Sequence, residues 1–245
     1  MESLESVRTT LGVFTRTYSY LRRAKSPSAD VEQLKIDWAR ETLSSVGVEA
    51  QVIGRPERSG PLFLVGNHIS YLDIPLLMWS SPGVSFLAKS EIQKWPAIGL
   101  GAKVIGTTFV KRESKVERAS ARVEIARAVR AGAKIALFPS GTTTLDESKP
   151  WRLGVFDIAH TQGFPVQPFR IRYTPLRTAA YIDRDLFPAH LFKLAKSEGV
   201  QAVIEFHAPV RIEDPAEDAL KWWNWSRGDQ SVDESSAPIN VIQAE

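Results

Sequence analysis

From residue 61 onward the chain alternates short apolar runs with stretches of helical length, and this alternation restricts its architecture more than any other feature. The runs PLFLVGN, VSFLAKS, KVIGTTFVKR, KIALFPS and PVQPFRIRY read as strands, separated by helical stretches at 71–80, 91–101, 114–131 and 154–161. Parallel neighbours in a sheet need crossover connections, which helices supply. The pattern therefore predicts an α/β fold with a mixed, largely parallel central sheet flanked by helices. TAAYID and AVIEFHAPVRI read as late strands joined by a helix over 188–197.

Ahead of the sheet, Leu4, Val7, Leu11, Phe14 and Tyr18 recur at three- and four-residue steps, with Arg8, Arg16, Arg22 and Arg23 on or near the other side. Such an amphipathic helix suits a bilayer interface, or packing on the protein's own core. After a break at SPSAD, Ser28 or Asp30 can cap a second helix running to about Ser45, and GVEAQVIG follows as a first strand. The expected organisation is an N-terminal helical pair over 1–48, available for membrane-interface contact, and an α/β domain over 49–225. A polar, acidic tail over 226–245 has no apolar period and is expected to be disordered.

With 245 residues, of which 43% are hydrophobic and 24% charged, the chain can bury a full core. Cysteine is absent, which excludes a disulfide framework and a cysteine-based zinc site. His160, His190 and His207 stand singly with no ligand at metal spacing, so no metal site is expected. MESLESVRTTLG has acidic residues and no apolar h-region, so a secretory signal is not expected and the mature chain is expected to start here. No apolar run approaches the roughly 20 residues of a spanning helix, so a membrane role would be peripheral. The net charge of +3 is unevenly spread, with 103–134 basic and 213–245 acidic. The basic stretch suits phosphates or forms a solvated helix face, and no nucleic-acid partner is expected.

PLFLVGNHISYLDIPLL, residues 61–77, runs from a strand into a helix and sets Asn67, His68 and Asp73 at the junction. Strand ends and the following helix starts form the usual ligand crevice of such sheets. Histidine there suits a general base if a partner fixes its tautomer. In one continuous helix the two side chains would point about 140° apart at roughly 100° per residue, so pairing requires His68 in the loop and Asp73 inside the first turn. The same spacing also fits a capping box, with Asp73 reaching back to Ser70.

The order of blocks carries more information. Asn67-His68-x-x-x-x-Asp73, then Gly106-Thr107-Thr108-Phe109-Val110-Lys111-Arg112, then Phe138-Pro139-Ser140-Gly141-Thr142, then Phe164-Pro165-Val166-Gln167-Pro168 resembles the glycerolipid acyltransferase family over roughly residues 60–210. Ala88-Lys89-Ser90-Glu91 and Trp95-Pro96-x-x-Gly99 stand between the first two blocks. The resemblance implies that His68 deprotonates a glycerol hydroxyl with Asp73 as its orienter. The hydroxyl then attacks an acyl thioester, of acyl-CoA or acyl-carrier protein, without a covalent enzyme intermediate or bound cofactor. The absence of cysteine and of a G-x-S-x-G elbow agrees with this. It implies that Arg112 with Lys111 holds an acceptor phosphate, as a forked guanidinium can, although a Lys-Arg pair ending an edge strand reads equally as surface. Arg152, in Pro150-Trp151-Arg152-Leu153-Gly154, is a second phosphate candidate. The turn Ser140-Gly141-Thr142 could offer backbone N–H groups to an oxyanion, and a plain turn would look the same.

The third block departs from its relatives' Phe-Pro-Glu-Gly-Thr-Arg-Ser, with Ser140 in place of the glutamate and Thr143 in place of the arginine. The loss at 143 weakens the match to a lysophosphatidic acid acceptor. Relatives acting on lyso-ornithine lipid also carry a small hydroxyl residue there, but they keep the glutamate. The expected function is a peripheral O-acyltransferase acting on a lysolipid at the cytoplasmic face of a bacterial inner membrane. The alternatives are a lipid-binding relative that has lost turnover and a serine hydrolase using Ser140 with His68. Trp222, Trp223 and Trp225 with Lys221 would suit either an interfacial anchor or packing over the core.

Overall fold

The computed structural model describes residues 2–58, 60–90, 93, 102, 107–110, 114–182 and 185–228. Two helices open the chain, α1 (Glu2–Arg23) and α2 (Val31–Ser45). Asp30 starts the second, its carboxylate accepting from the Gln33 N–H at 3.0 Å. The described strands are β1 (Val48–Ile53), β2 (Leu62–Gly66), β3 (Val84–Lys89), β4 (Thr108–Val110), β5 (Lys134–Leu137), β6 (Val166–Thr174) and β7 (Val200–Phe206). Among them run α3 (Asp73–Ser80), α4 (Lys115–Arg130), α5 (Gly154–Gln162), α6 (Leu176–Ala179) and α7 (Phe187–Ala195), with α8 (Pro215–Arg227) last.

The strands form one sheet in the order β1-β7-β6-β2-β5-β3-β4. Every neighbouring pair is parallel except β6 and β7. This is the mixed, largely parallel sheet that the alternation of runs predicts. Side chains of a strand alternate between faces, and here each face meets helices. Leu62 and Leu64 of β2 pack with Ala39, Leu43, Leu76 and Leu191, whereas Phe63 and Val65 pack with Ile125, Phe156, Trp222 and Trp225. Both faces being covered, β2 and β5 are buried along their whole length, Lys134 at the start of β5 included, its Nζ donating to the Glu57 and Pro82 carbonyls. Gly66 ends β2 because nothing larger fits. A Cβ there would lie 2.4 Å from both the ring and the carbonyl oxygen of Phe169 on β6.

Two expectations need correction, and two features that the sequence left open are placed. TAAYID is not a strand. Pro175 leads into the four-residue α6, and the chain then crosses the loop after β2, where the Tyr181 N–H donates to the Ile69 carbonyl at 3.1 Å. A helix this short carries no period by which to recognise it. Ser226 and Arg227, expected in the tail, belong to α8; residues 229–245 lie outside the described residues. Trp222 and Trp225 are buried in the core and Trp223 is half-buried, so the tryptophan cluster packs over the sheet. In α1 the apolar stripe is turned outward. Val7, Leu11 and Tyr18 are exposed while Val13, Tyr20 and Leu21 are buried, and Phe14 packs edge-on against Phe187. The expected helix at 91–101, apart from isolated positions, and the block around Trp95, Pro96 and Gly99 lie outside the described residues.

Candidate active site

Strands β2 and β5 are parallel neighbours, so the loops that leave their C-terminal ends lie side by side. The first carries His68 and the second runs from Phe138 to Leu153. Helix α3 starts at Asp73, which leaves His68 in the loop, and the Asp73 carboxylate folds back over its own N-terminus. His68 Nδ1 lies 2.7 Å from Asp73 Oδ2.

Asp73 is fully buried and four groups surround its carboxylate. Oδ2 accepts from the N–H groups of Ile69 at 2.8 Å and Ser70 at 3.1 Å, besides facing the imidazole. Oδ1 accepts from the Tyr173 hydroxyl at 2.8 Å. Burial, and after it the charge of Asp73, push the Tyr173 phenol well above its ordinary range, so it stays a donor. With three committed donors around it, Asp73 can only accept from the imidazole, which fixes the proton on Nδ1 and leaves Nε2 with its lone pair. The contact to the imidazole and the contacts to the helix start come from one carboxylate. The carboxylate makes the backward half of a capping box to Ser70, whereas the buried Ser70 hydroxyl has no partner among the described residues.

The His68 ring is also held from the third block. It stacks on Phe138, with centroids 4.0 Å apart and planes 13° from parallel, and its side chain remains one-fifth exposed. The His68 carbonyl accepts from the Thr144 N–H at 2.8 Å, while the His68 N–H points at Glu147 Oε1 at 3.3 Å. Glu147 and Tyr173 were not singled out in the sequence. Each is a single residue far along the chain with no motif spacing to the junction, and only the fold brings it there.

The other expected residues divide. Ser140, Gly141, Thr142 and Thr143 form the turn that follows Phe138 and Pro139. Gly141 adopts φ +76°, and a Cβ on it would come within 2.8 Å of the Arg152 guanidinium, so Arg152 lies against this turn. The Arg152 N–H donates to the Pro139 carbonyl at 3.3 Å. Two amides of the turn are committed, Gly141 to the Phe138 carbonyl and Thr144 to His68. Those of Ser140, Thr142 and Thr143 have no partner among the described residues. The Ser140 hydroxyl donates to the Thr142 carbonyl at 2.9 Å, and no hydrogen bond joins it to His68 among the described residues. Asn67, expected to contact substrate, is buried and has both amide ends on β6. It donates to the Ile171 carbonyl and accepts from the Ile171 N–H, each at 2.8 Å. It braces the loop by continuing the β2–β6 pairing one residue further. Lys111 and Arg112 lie outside the described residues.

These elements set a histidine–carboxylate pair at the C-terminal edge of a parallel strand pair, with a second loop packed against the histidine, in the crevice where α/β enzymes commonly hold their sites. The acyltransferase family model matches residues 48–172, which span both loops and the sheet between them, and the chain belongs to that family. It is 32% identical over 197 residues to the lyso-ornithine lipid O-acyltransferase of Pseudomonas aeruginosa, covering 77% of this chain and 75% of that protein. It is 28% identical over 190 residues to the 1-acyl-sn-glycerol-3-phosphate acyltransferase of Neisseria meningitidis, covering 74% of this chain and 72% of that one. The crystal structure of the 1-acyl-sn-glycerophosphate (LPA) acyltransferase PlsC from Thermotoga maritima shares the fold. Its TM-score is 0.69 at 18% identity, covering 94% of this chain and 96% of that one.

Proposed function

We propose that this acyltransferase moves a fatty acyl group from an acyl thioester, acyl-CoA or acyl-carrier protein, to the free hydroxyl of a lysolipid. His68 Nε2 takes the hydroxyl proton as the hydroxyl oxygen attacks the thioester carbonyl carbon. The tetrahedral oxyanion collapses, the carbon–sulfur bond breaks, and the imidazolium returns the proton to the departing thiolate. Asp73 balances the charge that His68 gains in between. The amides of Ser140, Thr142 and Thr143 are candidate donors to the oxyanion, and Arg152 beside Gly141 suits an anionic group on donor or acceptor.

One observation carries this reading: the 2.7 Å contact from a buried, fully bonded Asp73 to the Nδ1 of a histidine whose ring remains partly open. The activities for which the relatives are named support a lysolipid acceptor, of either lyso-ornithine or lysophosphatidic acid type. Thr143 in place of an arginine favours the first. No described helix is long and apolar enough to cross a membrane. The outward stripe of α1, with Arg8, Arg22 and Arg23 exposed around it, supports attachment to an anionic lipid surface at the cytoplasmic face of a bacterial inner membrane.

The test is an acceptor screen. Lyso-ornithine lipid, lysophosphatidic acid and neutral lysolipids are each offered with acyl-CoA and with acyl-carrier protein, to wild type and to His68→Ala. Thioester consumption by wild type that His68→Ala lacks is the expected result. No consumption by wild type with any pair would overturn the proposal.

A further inference from the structure

Glu147 lies in the loop between β5 and α5, 5% exposed, in a chain segment that is otherwise largely open to solvent. Its φ of +49° falls in the left-handed region, which a glutamate rarely adopts unless its surroundings hold it there. They do. Its N–H donates to the Thr144 hydroxyl at 3.2 Å, and its carbonyl accepts from the Trp223 indole at 2.8 Å. Oε2 accepts from the buried Trp151 indole, and Oε1 faces the His68 N–H at 3.3 Å. Burial pushes the carboxyl up from its ordinary value. The Trp151 indole, the His68 N–H and ring, and the Ser140 hydroxyl pull the other way.

Two facts join here. The loop that contains Glu147 grips the His68 peptide from both sides, through Glu147 at the N–H and Thr144 at the carbonyl. Ser140, where the resemblance places a glutamate, is in the same loop, and its hydroxyl is among the groups that pull the Glu147 carboxyl down. A buried acceptor reaching His68 is therefore present, but it arrives from further along the same loop.

We infer that Glu147 is a positioning residue for the His68 base, supplying the carboxylate that position 140 lacks. This role rests on His68 acting as the base. A glutamate added at 140 would bring a second carboxylate to the first, where two like charges cannot both ionise readily. Restoring the family residue alone is thus expected to harm the enzyme, and moving the carboxylate is expected to be tolerated.

The experiment compares wild type, Glu147→Gln, Ser140→Glu, the double variant and His68→Ala, with melting temperature, kcat and KM measured for each. Glu147→Gln is expected to fold, to keep KM within about threefold and to lose kcat by about ten- to a hundredfold, the scale of a slightly misplaced base. Ser140→Glu is expected to fall below wild type, and the double variant to recover part of the kcat lost in Glu147→Gln. Wild-type kcat in Glu147→Gln, or no recovery in a folded double variant, overturns the inference. If Glu147→Gln does not fold, Ser140→Glu decides, and activity at or above wild type overturns it. Wild-type activity in His68→Ala would instead remove the base itself, a failure of the proposed function that the other variants do not mimic.

Discussion

The Tyr173 hydroxyl donates to Asp73 Oδ1 at 2.8 Å across one hundred residues of sequence, joining strand β6 to the start of α3 beneath the histidine. The bond is fully buried at both ends. Tyr173→Phe leaves Oδ1 without its donor in a dry site and frees the carboxylate to rotate. A loss of about 2 kcal/mol in stability is expected, the scale for a hydrogen bond to a charged group. Acyl transfer should slow through kcat more than through KM, because this phenol is buried and its hydroxyl is committed to Asp73. Denaturant titration and steady-state kinetics check both, and unchanged kcat in a folded Tyr173→Phe protein would contradict the role given to the bond.

Asp73→Asn separates holding the histidine from charging it. The asparagine oxygen can still accept from Ile69, Ser70 and Nδ1, and its amide can donate to a reoriented Tyr173 hydroxyl, so the geometry survives. What disappears is the negative charge that stabilises an imidazolium. The variant is expected to fold with a modest loss of melting temperature and to lose about 10²- to 10⁴-fold in kcat, the range of a general base. Asp73→Ala removes the acceptor from all four donors and is expected to unfold more readily. Near-wild-type turnover in Asp73→Asn would mean that His68 does not take a proton in the rate-limiting step.

The sheet was legible because buried parallel strands read as continuous apolar runs, and PLFLVG and KIALFP are such runs. The His68–Asp73 pair was legible because its partners stand five residues apart across a single loop-to-helix junction. Tyr173 and Glu147 escaped for the opposite reason: each meets the junction through the tertiary fold, and no local period marks it. Asn67 was misjudged because a polar residue beside a base looks like a ligand, while its actual partner, the Ile171 backbone, is set by strand register. Periodicity likewise identified α1 as amphipathic, yet it cannot say which stripe turns inward. That depends on where Phe187 and the other core residues lie.

The outward stripe gives a membrane prediction. Leu11 is 58% exposed and Tyr18 66% exposed, so replacing both by glutamate should leave the melting temperature nearly unchanged. If these side chains enter a lipid surface, each loses burial worth about 1.5–3 kcal/mol, and binding to anionic vesicles should fall at least about tenfold. Flotation with vesicles measures it. Equal binding by the double variant would move the membrane contact to another surface.

His190 ties α7 to the base loop and supplies a pH dependence. Its Nδ1 faces the Tyr71 hydroxyl at 3.0 Å and its Nε2 the Ala180 carbonyl at 2.9 Å. Burial lowers its pKa; Arg177 and Lys193 add to that, while the Ala180 bond and Asp185 oppose it. Tyr71 is held protonated, its pKa raised mainly by burial, so in the neutral state the phenol donates to Nδ1 and Nε2–H donates to Ala180. A histidine lowered in the folded state binds its proton less readily than in the unfolded chain. Its contribution to stability is therefore complete above the ordinary value of about 6.5 and is lost as pH falls through that value toward the lower folded one. On protonation both ring nitrogens become donors, and Tyr71 has to turn its proton elsewhere. Melting temperatures measured between pH 5 and 8 should drop on the acid side in wild type and do so less in His190→Gln, so that the difference between the two curves shrinks at low pH. Parallel acid slopes in the two proteins would show that His190 does not titrate between the folded and unfolded states in this way.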